Sequence, residues 1–278
     1  MKKISLKFYV ILFFALFLGS LYPLLIKNPF ISKTFISCEK FNFQLSQYNT
    51  VNKCINYIDS LNHLVNNQSS FDTLLYVDRT SDFIKERFYH GLSNYSISDN
   101  WIAYLTGKLF WSHLSAIVKP DDILKHQEGL CSQQNIVFTE VLKSKGITSR
   151  AVGLGTKKGP GHFLTEVWYN NDWHLYDVDI EPNWKVANYK HLSLDSLLKN
   201  KSLLFEIYVK KLTTNHLHII SQSVIYGKSN EFPAKNMLLF HQITLLLTYM
   251  FPILFFSLFM INLFKNKRTS KKAKGTET

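Results

Sequence analysis

Two apolar runs limit what this chain can become. Residues 8–26, FYVILFFALFLGSLYPLLI, and residues 237–264, MLLFHQITLLLTYMFPILFFSLFMINLF, contain no charged side chain. A helix crosses a hydrocarbon layer of about 30 Å with about 20 apolar residues, and each run reaches that length. Pro23 and Pro252 are tolerable there because neighbouring groups satisfy the freed carbonyls. The first run follows Met-Lys-Lys and so also fits a signal peptide. It shows no small-x-small cleavage site and continues through Leu24, Leu25 and Ile26, so an uncleaved anchor is expected. A buried core helix is a poor account of the second run, which is too long and too apolar.

Charge then orients the chain. Lys2, Lys3 and Lys7 precede the first run and KNKRTSKKAK follows the second. Basic residues flanking spans stay on the cytoplasmic side, which places both termini inside and residues 27–236 outside, in the periplasm or the exterior. The tails hold nine of the 32 basic residues and one of the 20 acidic ones, leaving 23 basic against 19 acidic, or +4, in between. The formal +12 is therefore largely topology, and no basic stripe interleaved with aromatics points to nucleic acid. The expected organisation is an anchor at 1–26, an extracytoplasmic domain at 27–236, a transmembrane helix at 237–264, and a basic, disordered, lipid-facing tail at 265–278.

The three cysteines fit an oxidising compartment. Cys38 and Cys54 are close enough in sequence to pair across a short loop, which leaves Cys131 as an odd thiol and a candidate nucleophile. Two or three buried free thiols are the alternative.

The outer region carries no repeat, linker or charge block. Helical spacing of Ile55, Ile58, Leu61 and Leu64 predicts a helix over 46–65, and further helices are expected at 81–94, 100–117, 131–144 and 192–210. Strands are expected at 146–155, 162–169 and 173–180, with another at 216–226. Asn170 and Asn171 tolerate the positive φ of a two-residue hairpin turn between the middle pair. The predicted class is α+β, a helix packed on an antiparallel sheet.

Cys131 follows Gly129-Leu130 and opens the helix at 131–144. Unpaired N–H groups and the macrodipole at a helix N-terminus favour negative charge, which suits a thiolate and also an oxyanion. A nucleophilic thiol needs a base and a group to orient it. His162 opens one strand of the hairpin. With the turn at 170–171 it lies opposite Asp179, and Asp177 is the diagonal neighbour on the same face. Either carboxylate is a candidate partner. Glu166 reads as a structural partner on that face.

The runs GLCSQQ, SRAVG, GHFLTEVW and DWHLYD, in this order over about 120–184, resemble the transglutaminase-like (papain-related cysteine) superfamily. The resemblance covers close to a quarter of the chain. It implies a transglutaminase-like core at about 100–184, with a helical lead-in, in which Cys131 is the nucleophile, His162 the base and later the acid, and Asp177 the orienter. Its D-W-x-x-x-D spacing favours Asp177 over Asp179. The side chain completing the oxyanion hole is left open among Trp101, Trp111 and Gln127.

The resulting expectation is a membrane-anchored cysteine hydrolase or acyltransferase acting on protein or peptide amides, needing no metal or organic cofactor. The alternative is a catalytically inactive transglutaminase-like scaffold in a cell-envelope assembly. Its membrane partners would dock through the spans, where His241, Gln242 and Thr244 offer polar contacts. The Gly-rich stretch 153–161 joins two strands and so does not read as a phosphate loop. His216 and His218 find no third ligand at suitable spacing. The sequons at Asn67 and Asn94 matter only in a eukaryotic secretory host.

Overall fold

The structure, a computed structural model, describes residues 6–25, 40–65, 71–155, 161–208 and 223–274. Cys38, Asn67, His216 and His218 lie outside the described residues, as do 156–160 of the Gly-rich stretch and most of the strand expected at 216–226. The chain is α+β and divides into two compact units.

One unit gathers the terminal helices. It comprises α1 (Leu6–Leu25), residues Asn94–Ala116 with α4 (Ile97–Leu109), and the chain from Asn236, nearly all of α9 (Lys235–Lys274). In α9 the stretch Lys235–Arg268 is long and apolar enough to cross a membrane, while the apolar run of α1, Leu6–Tyr22, is shorter. Of the two spanning helices expected, one meets the length by this measure. Phe14 packs on Phe259 (5.1 Å between ring centroids) and Phe17 on Phe256 (5.2 Å), so α1 and α9 run antiparallel. The helix continues through Lys274, where a disordered tail was expected. Asn100 leaves helical geometry (φ −152°, ψ 82°), and its amide donates to Thr244 Oγ1 at 2.9 Å. His241 Nε2 lies 2.9 Å from the Leu114 carbonyl. The polar head of α9 is thus used inside this unit.

The other unit carries the sheet. The hydrophobic stripe expected at 46–65 forms α2 (Val51–Val65), and α3 spans Thr73–Arg87. The helix expected at 81–94 begins eight residues earlier, at Thr73, where the Asp72 carboxylate accepts the Leu75 N–H at 3.1 Å and caps it. A short parallel pair, β1 (Tyr89–His90) and β2 (Glu128–Gly129), flanks the one-turn α5 (Pro120–Ile123) and leads into α6 (Cys131–Ser144). Then come β3 (Ser149–Gly155), β4 (His162–Tyr169), β5 (Asp172–Tyr176), α7 (Leu194–Lys199), α8 (Lys201–Tyr208) and β6 (Ser223–Tyr226). The four larger strands form an antiparallel sheet in the order β5-β4-β3-β6.

Asn170 and Asn171 both take positive φ, 49° and 62°, and close the β4–β5 hairpin. The hairpin pairs Thr165 with Tyr176 and Trp168 with Trp173. One face of the sheet meets α6, where Phe138 packs on Tyr176. The opposite face buries Val152, Leu164 and Leu175 against Leu194, Leu197 and Ile207 of α7 and α8. Each such side chain contributes about 1.5–3 kcal/mol on leaving water. Glu166, fully buried, accepts from Arg150 Nη2 (2.6 Å) and Nε (2.9 Å) and from the Leu194 N–H, tying α7 to the sheet. Cys54 is a free, buried thiol that donates to the Tyr48 carbonyl, and its expected disulfide partner Cys38 lies outside the described residues. Burial pushes its pKa up to about 12.

Candidate active site

Cys131 is the first residue of α6, and the structure shows how the local sequence places it there. Gln133 reaches back, its Oε1 accepting the Leu130 N–H at 3.2 Å and the Ser93 N–H at 3.0 Å. Its Nε2 donates to the Ser93 and Ile117 carbonyls. The first turn of the helix is therefore pinned to two neighbouring segments. Gly129 lets the chain pack closely just before the helix. A Cβ at that position would lie 3.1 Å from Gln134 Cγ and 3.4 Å from the Phe88 ring, and the Gln134 amide passes through that space to donate to the Gly129 carbonyl.

Asn135, one helical turn after Cys131, joins the helix to the strand that carries the histidine. Its amide donates to the Cys131 carbonyl (2.7 Å) and the Phe163 carbonyl (2.8 Å), and its Oδ1 accepts from Thr165 Oγ1 at 2.6 Å. These bonds set the separation of Cys131 and His162. A polar residue on the inward face of an amphipathic helix was the available signal, and it was missed.

His162 is buried at the start of β4. Its Nε2–H points to Asp177 Oδ2 at 2.7 Å. Asp177, also buried, is saturated. Oδ2 accepts a second bond from the Tyr208 hydroxyl (2.9 Å), and Oδ1 accepts the N–H groups of Asp179 and Ile180. Tyr208 lies 31 residues downstream, and no spacing in the sequence marks it.

Strand pairing does not continue to His162–Asp179 as simple register predicts. The ladder stops at Thr165–Tyr176, and the turn capped by Asp177 Oδ1 redirects the chain. Asp179 therefore turns to other donors. It accepts from Gln134 Nε2 at 2.8 Å and from His90 Nδ1 at 2.9 Å. Even so, one carboxylate oxygen of Asp179, the Cys131 sulfur and one His162 ring nitrogen all lie within 4.8 Å of one another. The structure thus brings Cys131, His162, Asp177 and Asp179 to one place.

Electrostatics follow from this packing. Burial alone lowers the pKa of His162, but the Asp177 carboxylate and the Cys131 sulfur outweigh it, and the imidazole is raised well above its ordinary 6.5. The protonated ring is favoured between a carboxylate and a sulfur. Of the oxyanion-hole candidates, Gln127 lies beside β1, its backbone carbonyl accepting the Tyr89 N–H, and Trp101 and Trp111 belong to the unit of terminal helices. The first-turn N–H groups of α6 are the donors next to the sulfur.

No protein-family model matches the chain, and no curated protein matches it. A solved structure described as the crystal structure of a TGase is similar at 17% identity with a TM-score of 0.30, over 55% of this chain and 34% of that one. The matched part spans about a third of that protein's length, and the likeness is too slight to carry an argument. The site therefore rests on its own geometry.

Proposed function

We propose that this chain is a transglutaminase-like thiol enzyme acting on amide bonds, with Cys131 as nucleophile, His162 as base and then acid, and Asp177 as the group that orients the imidazole. One observation carries the reading: a buried imidazole reaches Asp177 at 2.7 Å on one side and the sulfur that opens α6 on the other. Asp177 holds Nε2–H, leaving Nδ1 to exchange a proton with the sulfur. Cys131 forms a C–S bond to the amide carbonyl while the carbonyl electrons move to oxygen, opposite the N–H groups at the start of α6. Collapse breaks the C–N bond, and His162 delivers its proton to the departing amine. Water, or an amine in a transfer reaction, then attacks the thioester. His162 takes the proton of that nucleophile and returns it to the departing sulfur.

The reading extends to location. α1 has 20 residues, about 30 Å of helix, and its antiparallel packing on α9 brings both ends of the chain to one side. Large apolar side chains stay exposed along both helices, among them Ile11 at 70% and Ile253 at 66%, as expected of surfaces that face lipid.

The test is alkylation of Cys131 near neutral pH in the full chain in detergent, read by peptide mass spectrometry. Labelling is expected at least tenfold faster than for an ordinary thiol, because the adjacent imidazole takes up the proton as the sulfur attacks. His162→Ala removes that advantage. Slow labelling that His162→Ala does not change overturns the proposal.

A further inference from the structure

We propose that Cys131, His162 and Asp179 form a binding site for a thiophilic divalent cation of the zinc type, which when occupied closes the thiol to other chemistry. The three donor atoms lie within 4.8 Å of one another. In a tetrahedral zinc site the separations of sulfur, nitrogen and oxygen ligands are roughly 3.3–3.6 Å, given metal–ligand bonds of about 2.0–2.3 Å, so small side-chain movements close the set. A thiolate, an imidazole and a carboxylate with one position open to water suit zinc and leave magnesium and calcium, which take oxygen ligands, without an adequate site.

The surroundings complete the argument. Metal-bound histidines give their other N–H to a carboxylate, and ligating carboxylates are themselves held by hydrogen bonds. Both supports are in place. Asp177 takes Nε2–H of His162 at 2.7 Å, leaving Nδ1 for an ion, and Asp179 is fixed by Gln134 at 2.8 Å and His90 at 2.9 Å. On the same Gln134 amide, Oε1 is buried with no hydrogen-bond partner among the described residues, an acceptor unspent beside the site. Amide cleavage gives Asp179 no task, whereas cation binding uses it together with His90 and Gln134.

Binding depends only on these side chains. Its regulatory consequence, a metal-silenced enzyme, rests on the function proposed above. The test uses the full chain in detergent. Cobalt(II), a spectroscopic stand-in for zinc, is expected to give a thiolate-to-metal absorption band that zinc abolishes and that Cys131→Ser lacks. Zinc is expected to slow alkylation of Cys131 at least tenfold, reversibly with a chelator, while magnesium has no effect. Asp179→Asn should raise the zinc concentration for half-protection by on the order of tenfold or more, and His90→Ala by about 10–100-fold, as for supporting residues at other metal sites. Circular dichroism establishes that each variant folds, and if one does not, the cobalt spectrum of the unaltered chain decides. Absence of zinc protection overturns the site, as does absence of the cobalt band or an Asp179→Asn chain protected at the same zinc concentration. The two proposals fail separately: His162-dependent alkylation without zinc protection sinks the metal site alone, and zinc protection without His162-dependent alkylation sinks the enzyme alone.

Discussion

At single residues, the site depends on hydrogen bonds that hold reactive groups rather than on the reactive groups alone. Asn135 satisfies two carbonyls and one hydroxyl from a buried position, so Asn135→Ala leaves several polar groups unpaired. A loss of about 1–3 kcal/mol is expected in chemical denaturation. The alkylation rate of Cys131 should fall with it, because the helix is no longer tied to β4. Tyr208→Phe removes one of two donors to Asp177 Oδ2 and keeps the ring. Here the expected cost is about 1.5–3 kcal/mol, the range for a hydrogen bond to a charged group, again by denaturant titration. Asp177→Asn keeps the volume but loses the charge that favours the protonated His162. Turnover on an amide substrate is expected to drop by about 10²–10⁴, the usual contribution of a positioned acid–base group.

Among the elements, the β4–β5 hairpin decides which carboxylate meets the imidazole, and its turn chemistry is local. Asn171→Ala keeps a Cβ at φ 62° but removes the short polar side chain whose local hydrogen bonding makes that conformation tolerable, at a cost of up to about 1–2 kcal/mol. The melting temperature should fall, while Asn171→Gly, which has no Cβ, should be nearly neutral. The Arg150–Glu166 pair links β3, β4 and α7. Glu166→Ala strands Arg150, whose side chain is only 19% exposed, and the Leu194 N–H. A loss of about 3 kcal/mol or more is expected from denaturation curves, since removing one partner of a buried pair leaves the other uncompensated. The hairpin was legible in the sequence because two asparagines and alternating apolar residues are short-range signals. The end of the ladder at Tyr176 was not, because the Asp177 carboxylate bonds that redirect the chain compete with strand pairing only once the hairpin exists.

For the molecule as a whole, pH acts through a partly buried histidine outside the catalytic group. His191 stacks on Tyr176 (4.3 Å between ring centroids) and packs on Trp184, and burial holds its pKa below the ordinary 6.5. A base with a depressed folded pKa binds its proton more readily when unfolded. Its stabilising contribution is thus present above about pH 6.5 and lost as pH falls through the folded value. The melting temperature should decline below about pH 6.5, and His191→Phe, which keeps a stacked ring, should flatten that decline. The apolar exposure of α1 and α9 carries a separate expectation: the chain should remain with membranes after an alkaline wash, and tags on both ends should share one side of sealed vesicles.

Composition and short-range pattern were enough for the features whose causes are local. The uncharged runs, the helix opened by Cys131 and the Asn170–Asn171 turn all follow from spacings of a few residues. Long-range contacts were not written in such spacings. Tyr208 on Asp177, Gln134 and His90 on Asp179, and the grouping of residues 94–116 with the terminal helices join positions tens of residues or more apart. Such partners are chosen by which buried donors and acceptors remain unsatisfied once the elements pack, and that competition exists only in the folded chain.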